Sequence, residues 1–525
     1  MSDEKKFYFD KYTGRPLYGF YNEAPKNTPI VDNVDILVVG GSQSGVCAAI
    51  SAARHGAKVL IAERFGFLGG QSVYGMVTQW EKRAFVNNLG AVLTKGLPEE
   101  ILNKVIEKGG SDNLWFTPPG APEMRDGEEW LNPEAIKITF FEMCEEEGID
   151  ILLHTLAVDV MLEKKEDKLN KMTGVIFENK TGRFAIAAKV VIDATADLDL
   201  IWRAQGEQGC GLRDPINRMG QGFYVWYGNI DTKKFMEWYS QNPSARGGYP
   251  KMPDNREKVM KNYKESKLIK IGGTAFREIM EKAEEKGYLD KIGDILEELG
   301  VMMFVTLGMK WVGDDRWSPS FLGIPNLNML DAWQVTDYEI FRQKLAFYML
   351  PIMRLIPGWE NAYISRENIY MGSRETRWLK AMKMIDQSLI WDPENATKPT
   401  PLDAIGRSGA HDPGKNKLRA GYPIPYGIYV PKALDGALVC ARACGTKPDR
   451  ALDAHRGITP NMVAGQGVGT AAAIAVEDEV EPRNINLEKL QNILKEDGVQ
   501  LDHEHMDFDF QIPKDKIRDK PRPSE

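Results

Sequence analysis

Residues 34–39 (Val-Asp-Ile-Leu-Val-Val) form a nearly unbroken apolar, β-branched run, the pattern of a strand buried on both faces of a parallel sheet. It leads into a turn, residues 40–45 (Gly-Gly-Ser-Gln-Ser-Gly), and then into a small-residue helix over 46–54. A second strand follows over 58–62 and ends at Glu63. Strand, turn, helix, strand and acid is the order of a dinucleotide-binding βαβ unit. Gly40 allows the tight turn, Gly45 lets helix and strand approach, and the helix N-terminus suits a pyrophosphate. Glu63 is placed to accept hydrogen bonds from ribose hydroxyls. Ser42 stands where the fingerprint has its middle glycine, and with Ser44 it offers a hydroxyl near the phosphate position. The alternative is a plain βαβ unit with no nucleotide.

Three more stretches extend the pattern. Residues 64–72 (Arg-Phe-Gly-Phe-Leu-Gly-Gly-Gln-Ser) carry Gly69 and Gly70, which let the chain pass close to a flat ring or a phosphate. Residues 190–199 read as a strand running into a small, acidic turn with Ala194, Thr195 and Asp197. Residues 434–442 read as a third strand ending at Arg442. They are followed at 457–476 by a helix with Pro460 in its first turn and with Gly465, Gly467, Gly469 and Thr470 along it. Turns at 163–171 and 179–182 predict the two hairpins of a β-meander.

Composition narrows the class. The 525 residues are 43% hydrophobic and include 12 Trp, 18 Tyr and 20 Phe, ample for a packed core and against intrinsic disorder. A net charge of −8 without a basic stripe argues against nucleic acid as a partner. The five Cys are scattered, which argues against a disulfide framework or an iron–sulfur site. His503 and His505 lack further ligands, so no metal is expected. The N-terminus shows no apolar secretory core, and the uncharged run 457–476 contains too many Gly and polar residues to span a membrane. A cytoplasmic protein with no membrane partner, free to form a homo-oligomer, is the expectation.

Taken together, these stretches resemble the FAD-dependent oxidoreductases of the glutathione-reductase-like FAD fold, in a group related to fumarate reductase. The resemblance rests on Gly40-Gly41-x3-Gly45 with Glu63, on Leu68-Gly69-Gly70, on residues 132–135 (Asn-Pro-Glu-Ala) and on Ile192-Asp-Ala-Thr195 with Asp197. Further matches are residues 374–377 (Arg-Glu-Thr-Arg), 424–426 (Ile-Pro-Tyr), 430–432 (Val-Pro-Lys) and Gly465-Gln466 with residues 469–473 (Gly-Thr-Ala-Ala-Ala). The family has glycine where this chain has Ser42, Ala196 and Ala441, and its Cys-containing stretch after the third strand is here residues 443–448 (Ala-Cys-Gly-Thr-Lys-Pro).

The resemblance implies an α/β protein: a Rossmann-like FAD-binding domain (parallel sheet plus β-meander) with an inserted α+β substrate domain. The FAD domain is expected from residues 31–95, 151–205 and 370–480, after an N-terminal arm at 1–30. The pieces 96–150 and 206–369 would form the substrate domain, and 481–525 a C-terminal helix and charged tail. FAD is expected to be held noncovalently, since no His or Cys adjoins Gly69 and Gly70. The cofactor-binding set is Gly40, Gly41, Ser42, Ser44, Gly45, Glu63, Arg64, Gly69, Gly70, Gln71, Ser72, Ala194, Thr195, Asp197, Arg442, Gly467, Gly469 and Thr470.

A flavin leaves proton handling and substrate orientation to the protein. Only six His are present. His455 and Arg456 precede the last helix, whose start in this fold points at the flavin, and His411 sits in a Gly/Pro loop. These three are the catalytic candidates, with a structural histidine as the alternative for His455 and a surface turn for His411. Arg374, Arg377, Arg407 and Arg456 would suit an acidic substrate; for Arg377 the alternative is ion pairing with a neighbour such as Glu375. Trp226, Trp311 and Trp317 are candidates for the substrate pocket. No second dinucleotide fingerprint follows the first, so a dehydrogenase or reductase acting on a small molecule leads. A flavin monooxygenase and a flavoprotein without independent turnover are the alternatives.

Overall fold

Ile30–Val39 forms β1, whose first residues are exposed and whose second half is almost wholly buried. The computed structural model describes residues 18–19, 21–81, 93–109, 128–164, 166, 168–212, 222–242, 257, 260–261, 270–271, 276–298, 308–313, 315–321, 327–373, 376–391, 400–409, 421–447 and 451–501. After β1 come α1 (Gln43–Arg54), β2 (Val59–Ala62), α2 (Leu97–Glu107), α3 (Pro133–Glu146) and β3 (Asp150–Leu152). The meander β4 (Leu156–Glu163), β5 (Lys171–Asn179) and β6 (Gly182–Asp193) follows, then α4 (Asp199–Gln205) and β7 (Cys210–Leu212). A second unit then carries β8 (Phe223–Gly228), α5 (Thr232–Gln241), β9 (Gly308–Gly313), β10 (Arg316–Phe321), α6 (Ala332–Met353) and β11 (Tyr363–Glu367). The chain returns to the first with β12 (Arg377–Leu379), β13 (Ala404–Ser408), β14 (Tyr422–Pro425), β15 (Ala437–Val439), α7 (Ile458–Glu477) and α8 (Leu487–Glu496).

The larger unit comprises Glu23–Gly70, Trp80–Leu212 and Arg377–Glu525. Its seven-stranded sheet runs β3-β2-β1-β6-β5-β4, with β15 also on β6. β3, β2, β1, β6 and β15 are parallel, while β4, β5 and β6 form an antiparallel meander. The long β6 serves both, because its first half pairs with β5 and its last residues pair with β15. Both expected hairpins are present, and this is the Rossmann-like sheet with meander that the resemblance implies. α7 is buried at every position from Thr459 to Ala475. A helix with no polar face has to lie inside a domain, and the absence of charge along 457–476 has this cause. Among the described residues no helix is long and apolar enough to cross a membrane.

The smaller unit comprises Met1–Asn22, Gln71–Gln79 and Arg213–Thr376. Its five-stranded sheet places β11, β8, β10 and β9 side by side, with Lys270–Ile271 at the far edge and neighbours antiparallel. This α+β unit has an aromatic core. Phe235 meets Trp317 and Trp359 edge-on at 4.8 and 5.6 Å between centroids. Trp317 is fully enclosed and donates from its indole nitrogen to Thr232. Trp226 is also buried, and Trp311 packs against the same cluster, so these three candidates contribute to the core.

Several boundaries differ from expectation, among them Gln71–Gln79, which group with the smaller unit, and residues 206–212, which group with the larger. The inserted unit runs through Thr376, beyond residue 369. Residues 96–150 group with the larger unit, where Arg54 of α1 pairs with Glu100 of α2 and with Glu147 just after α3. The cause is packing: α2 buries Ile101, Leu102 and Val105, and α3 buries Ile136, Phe140 and Met143.

Candidate functional site

The turn between β1 and α1 is closed by its own backbone. Gly40 has φ +112°, and a Cβ there would lie 2.3 Å from the carbonyl oxygen of Ala194. A Cβ on Gly45 would lie 2.0 Å from the Gly40 carbonyl oxygen. Only glycine fits either position, for steric reasons alone. Ser42 is the N-cap of α1: its Oγ accepts from Gly45 N and lies 3.1 Å from Ser44 Oγ. The hydroxyl expected near a phosphate therefore caps the helix. Ser44 Oγ donates to the Cys440 carbonyl at 2.9 Å, tying α1 to the end of β15.

Glu63 reaches back into this turn. Its Oε2 accepts from Gly41 N at 2.7 Å and its Oε1 from Phe65 N at 2.9 Å. Burial raises its pKa, and the two N–H groups partly offset that. Each oxygen keeps a lone pair for a ribose hydroxyl. Gly69 donates to the Gly41 carbonyl at 2.8 Å, so the glycine pair at 69–70, with φ +116° and +47°, is laid against the turn. Arg64 is exposed, with its guanidinium over the Phe65 ring. Gln71 and Ser72 fall in the smaller unit.

Beside the turn, the end of β6 forms an acidic cluster. Asp193 is fully buried and accepts from Thr195 N, Thr195 Oγ1 and the N–H groups of Leu200 and Ile201 in α4. Burial, reinforced by Asp199, pushes its pKa up to about 6. Asp197 and Arg442, chosen separately from the sequence, form an ion pair at 2.7 Å. Arg377 donates to the Asp197 carbonyl and to Asp199, and lies over Trp202. Its ionic partner among the described residues is Asp199, because β12 pairs with β7 and brings it beside α4; the sequence neighbour Glu375 lies outside the described residues. Ala196 and Leu198 adopt φ +74° and +59°. The family's glycine at 196 is thus a left-handed position that this chain fills with Ala, at a cost of about 1 kcal/mol.

At the start of α7 the sequence assignments change most. His455 is fully buried, with Nδ1 2.7 Å from Tyr422 Oη and Nε2 2.6 Å from Tyr429 Oη. Desolvation lowers its pKa to about 4. A ring with both nitrogens engaged and no accessible surface has nothing to offer a substrate, which corrects its assignment as proton carrier. Its carbonyl accepts from Asn461 Nδ2, which also donates to the Gly457 carbonyl. No side chain caps α7 and no acid lies in its first turn. Thr459 Oγ1 and Asn461 Oδ1 are buried without a hydrogen-bond partner among the described residues.

Further along α7, the glycines serve helix packing. A Cβ on Gly469 would lie 2.2 Å from the Ala48 carbonyl oxygen, and one on Gly467 would lie 2.5 Å from Ile405 Cβ. Thr470 Oγ1 bonds Ser51 Oγ of α1 at 2.8 Å. Gly467, Gly469 and Thr470, placed in the cofactor set from sequence, are therefore filled against α1 and β13. Arg456 is partly buried just before α7. Arg407 is buried in β13, where Nε donates to the Leu501 carbonyl. His411, Arg374, His503 and His505 lie outside the described residues. Asp193, Tyr422, Tyr429, Thr459 and Asn461 were not selected from the sequence. Only Asp193, a lone acid ending an apolar strand, carried a readable signal.

A polar cavity of about 690 Å³ opens at the other end of α1, lined by Arg54, Lys95, Glu99, Asn103, Lys104 and Gln466. Arg54 is already taken up by two carboxylates and Lys104 by Glu146. The cavity is roughly a helix length from the glycine turn. The turn has the better chemistry: a backbone cradle that side chains would fill, a carboxylate behind it, and unpartnered buried polar atoms at the start of α7. This donor set fits the diphosphate and ribose of FAD.

The family model described as FAD dependent oxidoreductase matches residues 35–494. No curated protein matches the chain. Similar solved structures include a geranylgeranyl bacteriochlorophyll reductase-like protein of Thermoplasma acidophilum, 13% identical, covering 89% of this chain and 84% of that one at TM-score 0.42. A flavin-dependent brominase is 10% identical, covering 88% and 83% at TM-score 0.41. A p-nitrophenol 4-monooxygenase of Pseudomonas putida is 9% identical, covering 88% and 84% at TM-score 0.38.

Proposed function

The chain belongs to the FAD-dependent oxidoreductases, and from that premise we propose that it is a dehydrogenase or reductase moving a hydride between flavin N5 and a small organic substrate. Bound FAD supplies the hydride chemistry. The chain's own residues supply position and charge. The glycine turn and the N-terminus of α1 hold the pyrophosphate through main-chain N–H groups, and Glu63, fixed by Gly41 and Phe65, holds the ribose. The uncapped start of α7 carries partial positive charge, which stabilises negative charge developing nearby. Thr459 and Asn461 offer polar atoms there. Arg456 is the remaining candidate to orient an anionic substrate, with His411 as the remaining histidine.

The observation that carries the reading is the single βαβ cradle. Among the described residues the other large sheet is antiparallel and has no strand–glycine-turn–helix to take a second dinucleotide. The purified protein should be yellow and should release FAD, not FMN, on heating, with no flavin left attached to the chain. In anaerobic mixing, NADH and NADPH should bleach the flavin slowly while a substrate from a panel of small alcohols, acids and amines bleaches it fast. Rapid bleaching by NADPH, followed by hydroxylation of an added substrate in oxygen, would replace this reading with a monooxygenase.

A further inference from the structure

Helix α6 is apolar on two faces. Its inner face buries Tyr338, Phe341, Leu345, Met349 and Ile352 in the core of the smaller unit. Its outer face carries Trp333, Ile340 and Phe347, which are 39%, 48% and 63% exposed. They are spaced seven residues apart, so they form one stripe that drifts only about 20° per step. On the same face are Asp337 and Lys344, both exposed and neither ion-paired among the described residues. An ordered apolar stripe of this kind on an outer face marks an interaction surface.

We propose that a second copy of this chain docks on this face, α6 antiparallel to α6 across a two-fold axis at Ile340. The pattern supports it because apolar and charged positions share nearly one midpoint. Trp333 and Phe347 are equally spaced about Ile340, and Asp337 and Lys344 are equally spaced about the peptide bond that follows it. Antiparallel pairing therefore sets Ile340 against its own copy, Trp333 against the other copy's Phe347, and Asp337 against the other copy's Lys344, twice over. Parallel pairing would set like charges together, so the charges choose the direction. A two-fold interface is self-complementary and closes at two subunits. One helix pair of this length, roughly 33 Å, lies at the small end of specific interfaces, so the dimer should be reversible. The inference is independent of the proposed reaction.

Sedimentation velocity on the FAD-loaded full chain tests it. The wild type should show a concentration-dependent monomer–dimer equilibrium. Ile340→Arg puts two unpaired cations on the axis and should raise the dissociation constant by ~30-fold or more. The position is solvent-exposed, and unchanged circular dichroism and flavin content will show that the variant folds. Asp337→Lys and Lys344→Asp should each weaken the dimer by roughly three- to tenfold, and the two together should restore it. A wild type that stays monomeric at all concentrations overturns the proposal, including one that instead cosediments with phosphatidylcholine–phosphatidylglycerol vesicles. So does a dimer indifferent to Ile340→Arg, or a double variant weaker than either single one.

Discussion

At α1 the chain closes its own helix start: Ser42 caps it, Glu63 takes the Gly41 N–H, and Gly45 touches the Gly40 carbonyl. At α7 no side chain caps the first turn, and Thr459 and Asn461 keep buried oxygens without partners among the described residues. Behind that open start His455 is held between Tyr422 and Tyr429. The contrast separates two ways of meeting a ligand. The first start is shaped by main-chain sterics, so the phosphate site proposed there would depend on glycine for its room. The second leaves polar groups unmet, so its chemistry depends on what is brought to it and on how firmly it is held.

The largest break in this contrast comes from Gly45→Val. The added side chain has no room against Gly40 and Ala194, and the turn has to open. Flavin content, read as absorbance per chain, should fall to near zero. The reading of the turn as a cradle fails if the variant purifies yellow and fully loaded.

The acid limb of stability tests the clamp. His455 has a folded pKa of about 4, below its ordinary 6.5, so its contribution is present above pH 6.5 and is lost as pH falls toward 4. Asp193 has a folded pKa of about 6, above its ordinary 3.8, so its contribution is present below pH 3.8 and is lost as pH rises through 6. Each amounts to a few kcal/mol at most (about 1.4 per pKa unit), with opposite sign over the same window. In chemical denaturation, wild-type stability should therefore change little from these two groups between pH 4 and 6. Asp193→Asn should make stability rise with pH over that range, and His455→Gln should make it fall. A profile identical to wild type in both variants would show that neither group titrates as described.

At the open start, Thr459→Val keeps shape and removes one unpartnered oxygen. Stability of the flavin-free protein should hold or improve slightly, because no hydrogen bond among the described residues is lost. The flavin's midpoint potential or dissociation constant should shift by roughly two- to tenfold in equilibrium terms, about 0.5–1.5 kcal/mol. An unchanged potential and affinity would place this oxygen away from the cofactor.

The smallest effects return to the glycine positions of the family. Ser42→Gly gives up a cap but keeps a tolerated N-cap residue, so only a few tenths of a kcal/mol should be lost. Ala196→Gly relieves a left-handed alanine and should gain up to about 1 kcal/mol. Thermal melts with FAD bound distinguish the two by sign.

Much of the framework was legible along the chain because its signals are local. β-Branched runs, glycines at turns and Pro460 near a helix start all act through neighbouring backbone, and the βαβ unit, the meander hairpins and α7 appear where they predict. The partners of those elements are another matter. Gly467 and Gly469 look the same in sequence whether they face a phosphate or a helix, and only the crossing of α7 with α1 and β13 assigns them to packing. His455 looks equally like a proton carrier until β14 and the turn after it bring two tyrosines to its ring, from 33 and 26 residues away. Arg377 finds Asp199, 178 residues away in sequence, only because β12 pairs with β7. Periodicity and turn chemistry located the βαβ unit, the meander and α7, and the family motifs carried by those stretches pointed to FAD. Burial and long-range pairing, which depend on what arrives from elsewhere in the chain, decided which of its polar side chains are left free to act.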